Sequence, residues 1–203
     1  MKFKTVKPFV KWAGGKSQLL GEIRKKYPDT IERYCEPFVG GGAVLLDVLA
    51  NFQPKEVLIN DVNAELTNAY VQVRDNVDKL VDRLSEMQNE FWMMNEDERK
   101  EYYYKQRERF NELIGNNDSL NEKAALFIFL NKTCFNGLYR VNSKGLYNVP
   151  MGAYKKPSIC DEVSIRLISG LLKNVEIMLF NSKGGNYEIQ NNNRRNDFRG
   201  FLS

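Results

Sequence analysis

The chain has 203 residues and a formal net charge of +4, from 30 Lys and Arg against 26 Asp and Glu. This length can bury one hydrophobic core with a modest second lobe, and the mild positive charge permits a polyanionic partner without requiring one. The absence of histidine excludes histidine-based acid–base chemistry, and no metal site is predicted. The three cysteines form no C-x-x-C pair, and no apolar run reaches the roughly 18 residues of a membrane span. A cytoplasmic location without membrane contact is therefore predicted.

The predicted elements begin with a short amphipathic helix over residues 17–27, with Ser17 as its N-terminal cap. An apolar helix over residues 44–52 then connects two short segments that have the length of strands. Strand, helix and strand in this order imply parallel pairing, so the pattern predicts a doubly wound α/β core. Cys35 is expected in this core because it lies on the first strand. The predicted strands are residues 31–36, 56–60 and 175–180.

The middle of the chain, residues 63–132, has apolar side chains at the three- and four-residue spacing of helices. A loop is predicted at residues 116–119, and residues 122–130 are apolar enough to form a buried helix. Residues 181–203 are rich in asparagine, glycine and arginine and lack the period of a helix or a strand. A disordered tail is predicted there.

Three consecutive glycines, Gly40 to Gly42, separate the first predicted strand from the helix that follows. Such glycines let the backbone approach a ligand and lead into the N-terminal amides of a helix. Asp61 lies about twenty residues further on, at the end of the second strand, where a carboxylate typically binds ribose hydroxyls. The pattern predicts a pocket for a nucleoside-bearing cofactor, and a ligand-free turn is the open alternative. An ATP-binding P-loop is least favoured, because Val10 stands where its first glycine is required.

A second informative segment, residues 131–157, combines aromatic, amide and cationic side chains with turn-forming glycines and Pro150. Arginine can bind guanine, asparagine can pair with adenine, lysine neutralises phosphates, and an aromatic ring can fill the stack left by an extruded base. This composition is typical of a nucleic-acid-binding loop. A solvated hairpin whose tyrosines pack on the core explains it equally well, so both interpretations stay open at this point.

Three blocks in order, residues 7–16, 36–42 and 131–140, resemble the Dam-type adenine-specific DNA methyltransferases, whose catalytic motif is Asp-Pro-Pro-Tyr. The resemblance extends from about residue 7 to residue 180. It implies an α/β fold with a Rossmann-like S-adenosylmethionine-dependent methyltransferase core, incomplete at the C-terminus, and an inserted, mainly helical DNA-recognition lobe. The implied division is residues 1–62 for the first part of the core with the cofactor loop, 63–160 for the helical and target-recognition lobe, 161–180 for the return to the core and 181–203 for the tail.

By this resemblance, the chain transfers a methyl group from S-adenosylmethionine to the exocyclic amine of adenine in a short site of double-stranded DNA, in DNA methylation or restriction–modification. Each of three residues also has a purely structural alternative: Trp12 as part of the core, Lys16 as a surface residue at a helix start and Asp61 as a helix cap. The implied cofactor-binding residues are Trp12, Lys16, Glu36, Phe38, Gly40, Gly42 and Asp61. The implied DNA-binding residues are Phe135, Asn136, Arg140, Lys144, Pro150, Lys155 and Lys156.

One motif of the family is missing from this sequence. The family places Asp-Pro-Pro-Tyr after the recognition region, whereas this chain has no Pro-Pro pair and its last proline is Pro157. In the family that motif holds the extruded adenine and orients its amine, so no catalytic residue is assigned. The alternative expectation is a truncated, catalytically inactive remnant that retains cofactor binding, DNA binding or both. We also expect, as a partner, a second polypeptide that supplies the missing C-terminal half.

Overall fold

One sheet positions the predicted cofactor loop. The computed structural model of the chain describes residues 3–179 and 188–189. Its strands are β1 (Arg33–Glu36), β2 (Glu56–Asp61), β3 (Val175–Leu179) and β4 (Glu188–Ile189). Within these residues the sheet has the order β1-β2-β3-β4, where β1 and β3 pair parallel to β2 and β4 is antiparallel to β3. The predicted α/β core with parallel strands is confirmed.

Seven α-helices lie within the described part of the chain. They are α1 (Leu20–Arg24), α2 (Ala43–Phe52), α3 (Ala64–Asp75), α4 (Val77–Met93), α5 (Glu96–Leu113), α6 (Leu120–Thr133) and α7 (Glu162–Leu172). α2 connects the parallel strands β1 and β2, and α7 leads into β3. No helix among those described is long and apolar enough to cross a membrane.

The apolar core is centred on α6. Ten of its fourteen residues are buried, and it contacts α3, α4 and α5. A helix that is apolar around its whole circumference needs partners on every side, and these three helices provide them. α3 in turn packs on β2 and β3, so one hydrophobic cluster connects the helices to the sheet. The buried helix predicted at residues 122–130 is confirmed as the centre of α6.

The N-terminal helix differs from the prediction. The sequence predicts one helix over residues 17–27, but the structure has a 3₁₀ turn at Lys16–Leu19 followed by the five-residue α1. Ser17 lies inside the turn, where its backbone is helical and not extended as a cap requires, and neither element has a side-chain capping bond at its start. The prediction of Ser17 as a cap is therefore wrong. α1 is instead held by Arg24, which pairs with the buried Asp47 of α2.

The prediction that Cys35 belongs to the core is also wrong, because its side chain is exposed. Arg33 and Cys35 share the exposed face of β1, whereas Tyr34 and Glu36 are half-buried on the other face. Within the described sheet β1 is an edge strand, and edge strands are less completely covered than central ones. The sequence of a short strand does not by itself distinguish the two positions.

The predicted tail, residues 181–203, lies outside the described residues except for Glu188 and Ile189. These two residues form β4, in which Ile189 pairs with Met178 and Glu188 pairs with Leu179. A short antiparallel strand thus follows β3 at the edge of the described sheet.

Candidate functional site

The glycine loop lies between β1 and α2, and its shape depends on left-handed backbone at two glycines. Gly40 has a φ of +50° and Gly42 a φ of +76°, a region that residues with a Cβ rarely adopt. A hydrogen bond of 2.9 Å from the N–H of Gly42 to the carbonyl of Val39 closes the loop. A Cβ on Gly42 would also collide with the hydroxyl of Tyr70. Glycine is therefore required at position 42 for two independent reasons.

Asp61 joins the end of β2 to the glycine loop. Its Oδ2 accepts a hydrogen bond from the N–H of Gly40 at 2.9 Å, and its Oδ1 accepts one from the N–H of Asn63 at 3.0 Å. The side chain that caps α3 is that of Asn63, which accepts from the N–H groups of Glu65 and Leu66. Each carboxylate oxygen of Asp61 retains a second lone pair, so the group can still accept hydrogen bonds from the hydroxyls of a ligand.

Tyr70, on α3, fixes the glycine loop from inside the core, and the helical spacing around it gives no sign of this role. Its hydroxyl donates to the carbonyl of Gly40 at 3.0 Å, and its ring is fully buried and packs edge-on against Phe9. Burial, followed by the negative charges of Glu36 and Asp61, raises the pKa of Tyr70 well above its ordinary value. The hydroxyl therefore stays protonated and remains a donor.

The seven residues predicted to bind the cofactor line one cavity of about 220 Å³. They come from three parts of the chain: the N-terminal segment, the loop after β1 and the end of β2. Phe38 is 70% exposed, and Lys16 is exposed as well, so both side chains are open to a ligand. The residues brought together are Trp12, Lys16, Glu36, Phe38, Gly40, Gly42 and Asp61.

Trp12 lies between the cavity and the 131–157 segment. The ring packs so closely on the glycine loop that a Cβ on Gly40 would lie 2.8 Å from Trp12 Cδ1. It also stacks on Tyr139, with the ring centroids 5.9 Å apart and 28° between the ring planes. Trp12 is half-buried against the core cluster and lines the cavity at the same time, so its packing role and a cofactor-binding role are compatible.

The cavity lining carries both signs of charge. The Tyr34 hydroxyl donates to Glu36 Oε2 at 2.8 Å. Burial raises the pKa of Glu36, and the hydrogen bond from Tyr34 and the positive charge of Lys16 oppose that rise. The lining also contains a second carboxylate, that of Asp61, and a cation, the ammonium of Lys16. Such a lining suits a ligand that offers hydroxyl groups to a carboxylate and a carboxylate of its own to a lysine.

The 131–157 segment folds back on itself after α6. Cys134 and Met151 form an antiparallel bridge, and the N–H of Phe135 donates to the carbonyl of Pro150 at 2.9 Å. The tip is a turn at Asn142, whose Oδ1 accepts hydrogen bonds from the N–H groups of Lys144 and Leu146. This hairpin-like geometry was one of the two interpretations left open by the sequence.

The aromatic side chains of the segment separate into two groups. Tyr147 is buried, packs edge-on against Phe110 and donates from its hydroxyl to the carbonyl of Leu138 at 3.1 Å. Tyr139 is half-buried against the core, whereas Phe135 is 52% exposed. The predicted DNA-binding residues are all exposed: Phe135, Asn136, Arg140, Lys144, Pro150, Lys155 and Lys156.

Arg140 is held by the opposite side of the hairpin. Its Nε donates to Asn148 Oδ1 at 2.8 Å, and its Nη2 donates to the Asn148 carbonyl at 3.3 Å. Asn136, at the other end, has a left-handed φ of +55°, a conformation that asparagine tolerates better than most residues. Both side chains are thus presented on ordered backbone and not on a free loop.

Side chains of α4 and α5 support Lys155 and Lys156. Arg99 donates from Nη1 to the carbonyl of Lys155 at 2.8 Å, and Trp92 donates from its indole N–H to the carbonyl of Pro157 at 3.0 Å. The ammonium of Lys156 lies 4.3 Å from the centre of the Trp92 ring. These contacts fix the backbone while leaving both lysines exposed.

Two further lysines, Lys11 in the N-terminal segment and Lys132 in the 131–157 segment, were not among the predicted site residues. Lys11 is exposed, and its Nζ donates to the Tyr154 hydroxyl at 3.1 Å. Lys132 is half-buried, and burial, followed by the positive charge of Lys11, lowers its pKa. Both belong to the blocks that carry the family resemblance, which was the available signal for them.

Comparison with known proteins confirms the predicted family. The family model of D12 class N6 adenine-specific DNA methyltransferases matches residues 12–198. The chain is 48% identical over 189 residues to the Type II methyltransferase M.MjaIII of Methanocaldococcus jannaschii, covering 91% of this chain and 63% of the relative. It is 40% identical over 176 residues to the Type II methyltransferase M1.LlaDCHI of Lactococcus lactis subsp. cremoris, covering 86% and 57%.

A third relative is the DNA adenine methylase of Haemophilus influenzae, which is 38% identical over 149 residues, or 73% of this chain and 48% of the relative. The chain therefore spans between about half and two thirds of the length of these curated relatives. The family match includes the glycine loop, Asp61 and the whole 131–157 segment. The chain belongs to the D12 class N6 adenine-specific DNA methyltransferase family.

Proposed function

We propose that the cavity binds S-adenosylmethionine and that the chain serves the methylation of adenine at N6 in double-stranded DNA. The observation that carries the proposal is the meeting of Trp12, Lys16 and Asp61 at one glycine loop. Family membership supports the reaction class. Neither the described residues nor the relatives' names point to a second polypeptide, so the proposal includes none. A cytoplasmic location stays a prediction.

The donor set of the cavity fits S-adenosylmethionine. Asp61 can accept hydrogen bonds from the ribose hydroxyls, and Lys16 can pair with the methionyl carboxylate. Trp12 offers an aromatic face to the adenine or the sulfonium. The cavity of about 220 Å³ is smaller than the roughly 300–1,000 Å³ of typical ligand sites, so part of the cofactor would remain outside it.

The exposed side of the 131–157 segment fits duplex DNA. Lys144, Lys155 and Lys156 can neutralise phosphates, while Arg140 and Asn136 offer the groups that read guanine and adenine. Phe135 projects a ring that could occupy the stack vacated by an extruded adenine. Because Tyr139 and Tyr147 pack inward, they support this surface and do not contact a base.

S-adenosylmethionine, when bound, supplies an electrophilic methyl group on its sulfonium, and the acceptor is the exocyclic amine of adenine. The cavity residues bind and orient the donor, and the 131–157 segment binds the DNA. Residues 3–179 contain no Asp-Pro-Pro-Tyr segment, and no described residue is assigned the task of orienting the amine. Binding of both substrates is therefore the part of the reaction that these residues support.

Methyl transfer from labelled S-adenosylmethionine to unmethylated duplex DNA tests the proposal, with direct binding of each substrate measured in parallel. Label recovered as N6-methyladenine is the expected result. Binding of both substrates without transfer would show that the chain alone is inactive and would assign it binding only. Failure to bind S-adenosylmethionine would contradict the proposed cofactor site.

Arg140→Ala should weaken binding to duplexes that contain the recognised site about tenfold or more, while changing binding to other duplexes little, since one bidentate base contact contributes roughly 1–3 kcal/mol of discrimination. Fluorescence anisotropy with a panel of duplexes measures both affinities. Arg166→Ala is the control, because that guanidinium already pairs with Asp78 and Glu162. An equal loss for all duplexes would mean that Arg140 contacts phosphate and not a base.

A further inference from the structure

A buried amide, that of Asn131, bonds the backbone of the N-terminal segment at Lys11 to the 131–157 segment. Asn131, at the end of α6, is only 3% exposed. Its Oδ1 accepts from the N–H of Lys11 at 2.8 Å, and its Nδ2 donates to the carbonyl of Lys11 at 2.8 Å and to the carbonyl of Gly137 at 3.0 Å. Both amide hydrogens and the oxygen are therefore used, as a buried amide requires.

These bonds fix a stretch of backbone that has no regular secondary structure of its own. Both polar backbone groups of Lys11 are paired with Asn131, in the way that a neighbouring strand would pair them. The two segments also touch directly at this point, since a Cβ on Gly137 would lie 2.5 Å from Lys11 Cβ. Gly137 has a φ of +66°, so glycine is needed there both for space and for conformation.

The residue after Lys11 completes the connection. Trp12 packs on the glycine loop and lines the cavity, and its ring stacks on Tyr139 of the 131–157 segment. A ligand in the cavity that restrains Trp12 therefore restrains a ring that also packs against the 131–157 hairpin. DNA bound to the hairpin restrains Trp12 in turn, through the stack on Tyr139.

We propose that Asn131 is a positioning residue that couples the two binding sites, so that occupancy of the cavity raises the affinity of the 131–157 segment for DNA, and the reverse. The proposal rests on the proposed function, since it takes S-adenosylmethionine and DNA as the two ligands. Its physical basis is that Asn131 makes the connection between the two sites rigid, so a restraint that the first ligand places on Trp12 or on the hairpin is already in place when the second ligand binds. Such coupling is reciprocal by thermodynamic necessity.

Titration of S-adenosylhomocysteine, which carries no transferable methyl group, measures the coupling in the absence and in the presence of saturating long unmethylated duplex DNA. The unaltered chain should bind it about fivefold or more tightly when DNA is present, a coupling within the usual range. Asn131→Asp retains the acceptor for the Lys11 N–H but loses both donations to carbonyls. The ratio of the two dissociation constants should then fall to about one, while the affinity without DNA changes by less than about threefold.

Asn68→Asp is the matched control. Asn68 is also 3% exposed, and its Nδ2 donates to a backbone carbonyl, that of Leu120, at 2.8 Å. Thermal unfolding is expected to show a similar loss of stability in both variants, but only Asn131→Asp should lose the coupling. If Asn131→Asp fails to fold, Tyr139→Leu tests the same connection, because it removes the stack on Trp12 while keeping an apolar side chain; it too should lower the ratio.

The outcomes separate the coupling from the proposed function. No binding of S-adenosylhomocysteine by the unaltered chain would overturn the cofactor assignment and the coupling with it. Binding that is equally tight with and without DNA would overturn the coupling alone. An unchanged ratio in Asn131→Asp, or the same loss in Asn68→Asp, would show that Asn131 only contributes to stability.

Discussion

Replacing Gly42 by alanine is expected to disrupt the glycine loop and abolish cofactor binding. The φ of +76° at this position costs about 1–3 kcal/mol for a residue with a Cβ. The added Cβ would also collide with the hydroxyl of Tyr70, whose fully buried ring cannot move without disturbing the core. A loss of about 3 kcal/mol would lower the midpoint of thermal unfolding by roughly 6–12 °C for a domain of this size.

Circular dichroism follows the unfolding, and calorimetric titration of S-adenosylmethionine follows the binding. Gly170→Ala is the control, since Gly170 lies in α7 and a Cβ there meets no atom within 4 Å. Alanine at that position should stabilise the helix by about 0.5–1 kcal/mol. Adding Tyr70→Phe to Gly42→Ala removes the colliding hydroxyl and should recover part of the stability. Unchanged stability and binding in Gly42→Ala would show that the loop does not need its glycine conformation.

Asp61→Asn is expected to weaken S-adenosylmethionine binding at least tenfold. The carboxylate accepts one N–H on each oxygen, from Gly40 and from Asn63. An asparagine can satisfy only one of them, because its amide nitrogen would face the other N–H as a second donor, at a cost of about 1–3 kcal/mol. The same change removes the negative charge that accepts the ribose hydroxyls in the proposed complex. Calorimetric titration at a temperature where the variant is folded measures the loss.

Asp47→Asn is the matched control for this substitution. Asp47 is 1% exposed and pairs with Arg24 and the Tyr27 hydroxyl, so its loss should destabilise the chain comparably through α1 and α2. Asp47 does not line the cavity. The affinity of the Asp47→Asn variant for S-adenosylmethionine, corrected for the folded fraction, should therefore be nearly unchanged. Equal loss of affinity in both variants would attribute the effect of Asp61→Asn to stability alone.

The parts of the site that could be predicted from sequence are those determined by local pattern. Glycines at a strand–helix turn and an acid at the end of the next strand meet in space, because parallel strands bring their carboxyl ends to the same edge of the sheet. The apolar run of α6 identified the buried helix, because a helix that is apolar all around must be surrounded by other elements. The cavity contains all seven residues that the family resemblance named, although their roles toward the cofactor stay predictions.

The missed features depend on contacts between distant residues. Tyr70 reaches Gly40 across 30 residues and Asn131 reaches Lys11 across 120 residues, distances over which helical periodicity carries no information. Composition likewise could not separate the buried Tyr147 from the exposed Phe135, because both stand among turn residues and cations. Cys35 was misplaced because the sequence of β1 does not show that this strand lies at the edge of the sheet.

The cofactor site is the central claim, and calorimetric titration of S-adenosylmethionine into the purified chain and its Asp61→Asn and Asp47→Asn variants tests it most directly. We expect one saturable site in the unaltered chain, retained in Asp47→Asn and weakened at least about tenfold in Asp61→Asn. Absence of binding to the folded, unaltered chain, or binding that is indifferent to Asp61, would contradict the account.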